Sequence, residues 1–298
     1  MGLAGLGLAW RGAAMVLPLP EAASELWIAL AAAALACLVP AYALKALRHP
    51  QAVKEELANP ALIAFCATLP VGMTLLAGGL QPYAFKLALA IWWAAVVLLV
   101  VLQLRMLWVL ARGGARLHQV NGGWMIVFVG GIVVPGAGLT LGEGHVSLWM
   151  FTISACAAPF VMGLVLYRFL SGPPMPDAAK PGWFILLVPP SLIYLNGYTL
   201  WGESIWLEAL FLAGLTLAAV LLFAARGLAR WPFGAPWWAF TFPLDALASA
   251  AAHFAQAHEH PYWRWLAGAL LLIAALFAVW VLVRTLAALA RGTLLKPA

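Results

Sequence analysis

The chain has 298 residues, of which 65% are apolar and only 9% charged, against roughly 45–50% apolar and about 25% charged in soluble domains. Sixteen basic and ten acidic side chains cannot cover a water-facing surface of this size, so a soluble globular protein is excluded. The net charge of +6 reflects few acids rather than many bases, which argues against a nucleic-acid partner. We expect one transmembrane domain over residues 1–298, with the lipid bilayer as its surroundings.

Apolar runs bounded by charge, glycine or proline predict ten membrane-spanning helices, because about 20 apolar residues cross the hydrocarbon core. In chain order, the predicted spans are Met1–Leu17, Leu26–Leu47, Pro60–Leu80, Leu87–Ala111, Trp124–Leu141, Val146–Leu170, Trp183–Leu200, Ile205–Leu228, Trp237–Ala257 and Tyr262–Ala290. The connections between them leave no room for a soluble domain. The start of the chain also lacks the basic segment that opens a cleavable signal peptide.

The basic residues predict the orientation of these spans, since short cytoplasmic loops collect lysine and arginine. Thirteen of the sixteen lie near the C-terminal end of an even-numbered span or in the connection after it, and only Arg11, Lys86 and Arg264 lie near the C-terminal end of an odd-numbered span or beyond it. This alternation predicts a multi-pass protein of the cell inner membrane with both termini in the cytoplasm. Arg105 and Lys45 are interpreted as interfacial side chains that reach out of the bilayer.

The sequence offers little for metal binding, redox chemistry or catalysis. Cys37, Cys66 and Cys156 stand far apart in apolar runs, which predicts small core residues rather than a pair. His258-Glu259-His260, with His253 earlier, is an incomplete zinc site, so we predict neither a metal nor another cofactor. Gly-x-Ser-x-Gly, His-Glu-x-x-His and phosphate-loop motifs are lacking, which favours a protein that is not an enzyme.

Prolines mark the odd-numbered spans. Pro70, Pro135, Pro189 and Pro243 follow one another at intervals of 65, 54 and 54 residues, although two even spans also contain proline. Because proline kinks a helix and frees backbone carbonyls, such helices favour positions that face protein or a watery cavity. The pattern predicts a repeated two-helix unit with odd helices inside and even helices outside. Small residues in spans 5 and 9 permit either close helix packing or an open lumen.

Several segments resemble one family of transport proteins. The most specific is Trp237–Leu244, which reads WWAFTFPL. Asn59-Pro60, followed by Phe65 and Pro70, and the Leu6–Trp10 segment carry the same likeness. Together they resemble the tellurite-resistance/dicarboxylate transporter family, which includes the plant slow-type anion channels. The likeness extends over essentially the whole chain in the order and number of spans.

The resemblance implies an all-α integral membrane fold of five helical hairpins around a central pore. It also implies homotrimers with one pore per subunit and transport of small anions without a bound cofactor. In the family, the phenylalanine before the span 9 proline closes the pore, and that position here is Phe242. An aromatic constriction of this kind blocks ions by dewetting. Phe65, Phe128 and Phe184, on other odd helices, are candidates to add to the constriction, with core packing as the alternative.

Three polar residues of span 9 are further candidates for the pore lining: Asp245, Ser249 and His253. Asp245 shares a helical face with Phe242 and is the one acid assigned to the interior of a span, with Glu208 assigned to the outer side. Its role is left open between a protonation switch and a structural partner for a neighbouring group. His253 would attract anions when protonated or serve as a core histidine. With so few buried bases, backbone dipoles and helix N-termini are the expected source of anion preference.

The sequence and the resemblance together predict an anion channel or uniporter gated by Phe242. It would pass small inorganic anions or organic dicarboxylates down their electrochemical gradient. The alternative is a proton-coupled exporter of an anion such as sulfite, malate or tellurite, with Asp245 or His253 carrying the proton. The residues do not specify the cargo.

Overall fold

The structure, a computed structural model, describes residues 1–113, 116–172, 176–258 and 260–292. All regular secondary structure in these ranges is helical. The α-helices are α1 (Gly2–Ala13), α2 (Glu21–Arg48), α3 (Pro50–Glu56), α4 (Pro60–Cys66), α5 (Thr68–Leu80), α6 (Phe85–Ala111), α7 (Gly123–Val129), α8 (Pro135–Gly138), α9 (Gly144–Ser171), α10 (Val188–Trp201), α11 (Ile205–Ala224), α12 (Thr241–Ala257) and α13 (Pro261–Ala290). Short 3₁₀ segments are Leu117–Gln119, Gly130–Val133, Asp177–Leu187, Leu228–Arg230 and Ala235–Phe240.

Seven helical segments in the described ranges are long and apolar enough to cross a membrane, which confirms an integral membrane protein built of helices. They are Glu21–Arg48, Pro60–Leu80, Phe85–Ala111, Gly144–Ser171, Asp177–Trp201, Ile205–Ala224 and Pro261–Ala290. The other three predicted spans coincide with shorter helical segments, namely α1, Gly123–Gly138 and α12. The number of ten spans stays a prediction.

Four of the odd-numbered spans are interrupted, whereas the even-numbered ones are continuous. A helix restarts at Thr68, at Pro135, at Val188 and at Thr241, in three cases after a 3₁₀ segment. In each restarted helix, a proline lies among the first three residues: Pro70, Pro135, Pro189 and Pro243. The amides of a first helical turn have no intrahelical acceptor, so a proline there costs no hydrogen bond.

The described chain divides into two compact units. One comprises Met1 with Glu25–Pro173, and the other comprises Gly2–Ser24 with Pro174–Ala298. In the first unit, α5 packs on α6, α4 packs on α7, and α7 and α8 pack on α9. In the second, α12 is the central helix and contacts α10, α11, α13 and α1.

Glycines of span 5 allow close packing against α9. A Cβ atom at Gly131 would lie 2.3 Å from the Ser154 Oγ and 2.7 Å from the Met150 carbonyl oxygen. One at Gly138 would lie 2.1 Å from the Ser147 Oγ. No side chain fits in these spaces, so for these two glycines the packing interpretation holds.

Two of the cysteine predictions are wrong. Cys37 and Cys156 are exposed, and Cys66 is half-buried. The first two lie on α2 and α9, whose outer surfaces are apolar. Lipid is as apolar as a protein core, so an apolar run in a membrane protein does not by itself place a small side chain inside.

Candidate functional site

The start of α12, with the residues just before it, contains the segment that carries the most specific part of the family resemblance, Trp237–Leu244. The 3₁₀ segment Ala235–Phe240 leads into the helix, and the Thr241 hydroxyl donates a hydrogen bond to the Trp238 carbonyl at 2.8 Å. Pro243 occupies the first turn, where its missing amide needs no acceptor. Phe242 thus stands at the point where the chain changes from 3₁₀ to α-helical geometry, and its side chain is buried, with 6% exposure.

Glycines of α1 let that helix approach α12 closely at this point. A Cβ atom at Gly5 would lie 3.1 Å from the Phe242 Cδ2 and 2.8 Å from the Asp245 Oδ2. At Gly2 it would lie 2.0 Å from the Thr241 Oγ1. Gly5 therefore leaves the space that Phe242 and Asp245 fill, and both side chains lie toward the same residue of α1.

Asp245 is the most buried charged side chain near this contact, with 1% exposure. Neither of its carboxylate oxygens has a hydrogen-bond partner among the described residues. Buried polar groups are nearly always hydrogen-bonded, and the exceptions call for a reason such as a functional role or a bound water. Its place beside Phe242 makes the carboxylate a functional candidate.

The other predicted pore phenylalanines have different surroundings. Phe184 is buried and packs edge-to-face on Phe240, with ring centroids 4.6 Å apart. Phe65 is 45% exposed and contacts the position of Gly123 across the α4–α7 packing. Phe128 is half-buried, with its ring 6.1 Å from that of Trp124.

The far end of α12 carries a second group of polar side chains. His253 has a buried Nε2 without a hydrogen-bond partner in the described chain, and its ring centroid lies 4.6 Å from that of Tyr198 and 5.8 Å from that of Tyr194. The Tyr194 hydroxyl is likewise buried without a partner among the described residues. Ser249, between this group and Phe242, is half-buried.

The sequence reasoning missed both tyrosines. A signal was present, because Tyr194 and Tyr198 are four residues apart in a proline-containing odd span. This spacing places them on one helical face, and α10 packs that face on α12.

Basic side chains in the described chain make contacts near helix ends. The Arg105 Nε donates a hydrogen bond to the Leu57 carbonyl at 2.9 Å. Lys45 forms an ion pair with Glu56, which also accepts a hydrogen bond from the Tyr42 hydroxyl at 3.1 Å. In the described ranges, no three histidine, cysteine or acidic side chains lie close enough to hold a metal ion. Glu259, the middle residue of the histidine motif, lies outside these ranges.

A family model described as a voltage-dependent anion channel matches residues 1–286. A comparison with curated proteins finds no match.

Proposed function

Because the chain belongs to the voltage-dependent anion channel family, whose members are transport proteins rather than enzymes, we propose that it conducts small anions through a pore that Phe242 closes. The observation that supports Phe242 as the gate is its position in the chain. It lies where the helix restarts at a proline, in the segment that most resembles the family. A ring held at such a restart is fixed by the backbone on one side and by Gly5 on the other.

The proposed architecture is five helical hairpins with odd helices around the pore and even helices toward lipid. Burial inside the chain supports this division. More than half of an apolar 18-residue stretch is buried in Pro60–Leu80 and in Asp177–Trp201, against a third or less in the even helices. Each even helix also exposes large apolar side chains by more than half, for example Leu38, Val101, Phe160, Phe223 and Leu276. Lipid is the solvent that suits such a surface.

Helix N-termini supply the attraction for anions in this proposal. α5, α10 and α12 begin inside predicted spans rather than at their ends. The N-terminus of a helix carries about half a positive charge, and broken membrane helices of other transporters use such ends to bind anionic groups. A pore built this way would hold anions without buried lysine or arginine.

The second candidate is a proton-coupled exporter of an anion such as sulfite, malate or tellurite. Asp245 favours it, because a carboxyl group buried beside the gate and not hydrogen-bonded in the described chain is suited to bind and release a proton. Organic dicarboxylates are candidate cargo in either case.

The proposed setting is the cell inner membrane, with both termini cytoplasmic and three subunits in an assembly. Thirteen of sixteen basic residues lie near the C-terminal end of an even-numbered span or in the connection after it, which supports this orientation. In α2, only 6% of an apolar 18-residue stretch is buried within the chain. This leaves an alanine-rich helix surface available for lipid or for another subunit.

Anion current across a planar bilayer tests the gate. We expect Phe242→Ala to raise the conductance about tenfold or more, because the ring that excludes water from the pore is removed. Phe160→Ala, which truncates an exposed phenylalanine of α9, is the matched control and should leave the current unchanged. An unaltered current in a folded Phe242→Ala protein would disprove the gate.

A pH gradient across the same bilayer separates the two candidate functions. For a channel, the reversal potential follows the anion gradient alone. For a proton-coupled exporter, it shifts with the pH gradient at constant anion concentrations.

A further inference from the structure

The 3₁₀ segment Ala235–Phe240, which leads into the proposed gate, is longer than such segments usually are. Runs of more than three or four 3₁₀ residues are uncommon, because their hydrogen bonds have poorer geometry than those of an α-helix. This segment has six residues and is followed directly by α12. Its geometry therefore depends on contacts with neighbouring helices as well as on its own hydrogen bonds.

Trp238, in the middle of this segment, is hydrogen-bonded both to the start of α12 and to α13. Its carbonyl oxygen accepts hydrogen bonds from the Thr241 amide and from the Thr241 hydroxyl, the latter at 2.8 Å. Its indole Nε1–H donates a hydrogen bond to the Thr285 Oγ1 of α13 at 3.0 Å. Trp238 thus connects the first residues of α12, where Phe242 lies, to α13.

The Thr285 hydroxyl is oriented to accept this bond. It donates its own hydrogen to the Val281 carbonyl of the same helix at 2.7 Å. A hydroxyl has one hydrogen and two lone pairs, so with the hydrogen on Val281 the oxygen offers lone pairs to the indole. Both Trp238 and Thr285 are half-buried. A donor that loses its acceptor in apolar surroundings is costly, so the bond favours the present arrangement of the segment.

Ring contacts with α13 flank this hydrogen bond. Trp237 packs edge-to-face on Trp280, with ring centroids 4.8 Å apart. The centroid of Phe240 lies 5.3 Å from that of Phe277. These rings hold the segment against α13, but apolar contact is not directional. A hydrogen bond is directional, so the bond of Trp238 is the contact that can fix the rotation of the segment about its axis.

A change from 3₁₀ to α geometry in this segment would reorient Phe242. Successive residues turn by about 120° in a 3₁₀-helix and by about 100° in an α-helix, with a rise of about 2.0 Å and about 1.5 Å. Over a segment of six residues, the difference amounts to a rotation of about 120° and a shortening of about 3 Å. A ring just beyond the segment would then leave its present, buried position.

We propose that Thr285 is a positioning residue for Phe242. By holding the Trp238 indole, Thr285 keeps Ala235–Phe240 in 3₁₀ geometry and so keeps the Phe242 ring in its buried position. The consequence for anion conduction rests on the proposed function, in which this ring closes the pore. In the proposed architecture α13 is an outer, even-numbered helix, so the gate is positioned in part from outside the ring of odd helices.

Hydrogen exchange of the purified full chain tests this role without a transport measurement. Thr285→Val keeps the shape of the side chain and removes the acceptor. We expect it to raise the exchange rates of amides 237–241 about fivefold, the effect of one net hydrogen bond, with amides 267–272 of α13 unchanged. Thr285→Ser keeps the acceptor and should keep the wild-type rates. Wild-type rates in Thr285→Val would overturn the proposal.

Thr216→Val is the matched control for this substitution. The Thr216 hydroxyl donates to the Leu212 carbonyl of its own helix at 3.0 Å, as that of Thr285 does to Val281, but Thr216 lies on an exposed face of α11. The control should leave the exchange of amides 237–241 at the wild-type rate. An equal rise in both valine variants would mean that the effect does not depend on the bond to Trp238, which would also overturn the proposal.

Anion current in planar bilayers tests the link to the gate. Thr285→Val should raise the current about fivefold, whereas Thr285→Ser and Thr216→Val should conduct as wild type does. In a Phe242→Ala background, Thr285→Val should add nothing, because the ring that it releases is absent. The same fivefold rise in both backgrounds would refute the role of Thr285 in placing Phe242.

Trp238→Phe provides an independent test if Thr285→Val fails to fold. It removes the N–H donor of the same hydrogen bond and should raise exchange and current as Thr285→Val does. Because each substitution breaks the same bond, the double variant should show no more than the effect of one, and a summed effect would contradict the proposal. Exchange as expected with no current from any variant would refute the proposed function and leave the hydrogen-bond role of Thr285 standing.

Discussion

Asp245 places a carboxylate beside the residue proposed to close an anion pathway. Its Oδ2 and the ring of Phe242 both lie against Gly5 of α1, so an anion that passes Phe242 meets the carboxylate at short range. Two like charges about 4 Å apart at an effective dielectric constant of about 20 repel by about 4 kcal/mol. If the acid is ionised, it is a barrier to transport.

For a channel, we therefore expect Asp245→Asn to raise anion flux, by up to about a thousandfold if the full repulsion is relieved, because the amide keeps the shape and removes the charge. Glu203→Gln, which neutralises an exposed acid before α11, is the control and should change flux little. For a proton-coupled exporter, the same Asp245→Asn change abolishes uptake driven by a pH gradient. Measured flux with and without that gradient distinguishes the outcomes, and no change in either assay would exclude Asp245 from the pathway.

Residue spacing predicted contacts along one helix better than contacts between helices. The three-residue step from Phe242 to Asp245 places both on one side of α12, and both lie near Gly5. Nothing local indicates that Gly5 is their neighbour, because the two segments are more than 230 residues apart in the chain. The same limit applies to His253 with Tyr194.

At the level of helices, the packing of span 5 on α9 depends on the absence of side chains. Gly131 lies against the Ser154 side chain and the Met150 backbone carbonyl, which cannot move aside without disturbing α9. We expect Gly131→Ala to lower the free energy of unfolding by about 1–3 kcal/mol, the usual cost of overpacking.

Gly163→Ala is the matched control for that substitution. Gly163 lies in α9, and a Cβ atom there would meet nothing within 4 Å. Alanine has the higher helix propensity, so this variant should be as stable as wild type or slightly more stable. Unfolding temperatures of the two alanine variants, measured in the same detergent, decide the matter. Equal stability would mean that the close approach at Gly131 is unimportant.

The prolines predicted where the odd-numbered helices depart from regular geometry, but they did not predict that each helix would break and restart there. Pro70, Pro135, Pro189 and Pro243 were expected to kink continuous spans, and each instead lies in the first turn of a restarted helix. A proline removes one donor and restricts the residue before it, which allows a kink, a break or a 3₁₀ segment. The neighbouring helices select among these, and their packing is not visible in a local pattern. Pro40 and Pro159 lie within continuous helices.

For the molecule as a whole, composition and charge carry the strongest predictions. The low charge and the long apolar runs suffice to predict an all-helical membrane protein, because a helix is the simple way to satisfy backbone polar groups in lipid. The positions of the seven long helices follow from the same runs. The contact of α1 with α12 and α13 does not, because it joins opposite ends of the chain.

The orientation in the membrane is predicted from the distribution of all sixteen basic residues along the chain. Gln51 and His145 are both exposed, the first after an even-numbered span and the second after an odd-numbered one. Starting from a protein with its three cysteines replaced by alanine, we expect Gln51→Cys to react with a membrane-impermeant maleimide only after the cells are opened. His145→Cys should react while the inner membrane is intact, once the reagent can pass the cell envelope outside that membrane. We expect these opposite sides because lysine and arginine are retained in short loops on the cytoplasmic side. Labelling of both cysteines from the same side would mean that a span between residues 51 and 145 is miscounted.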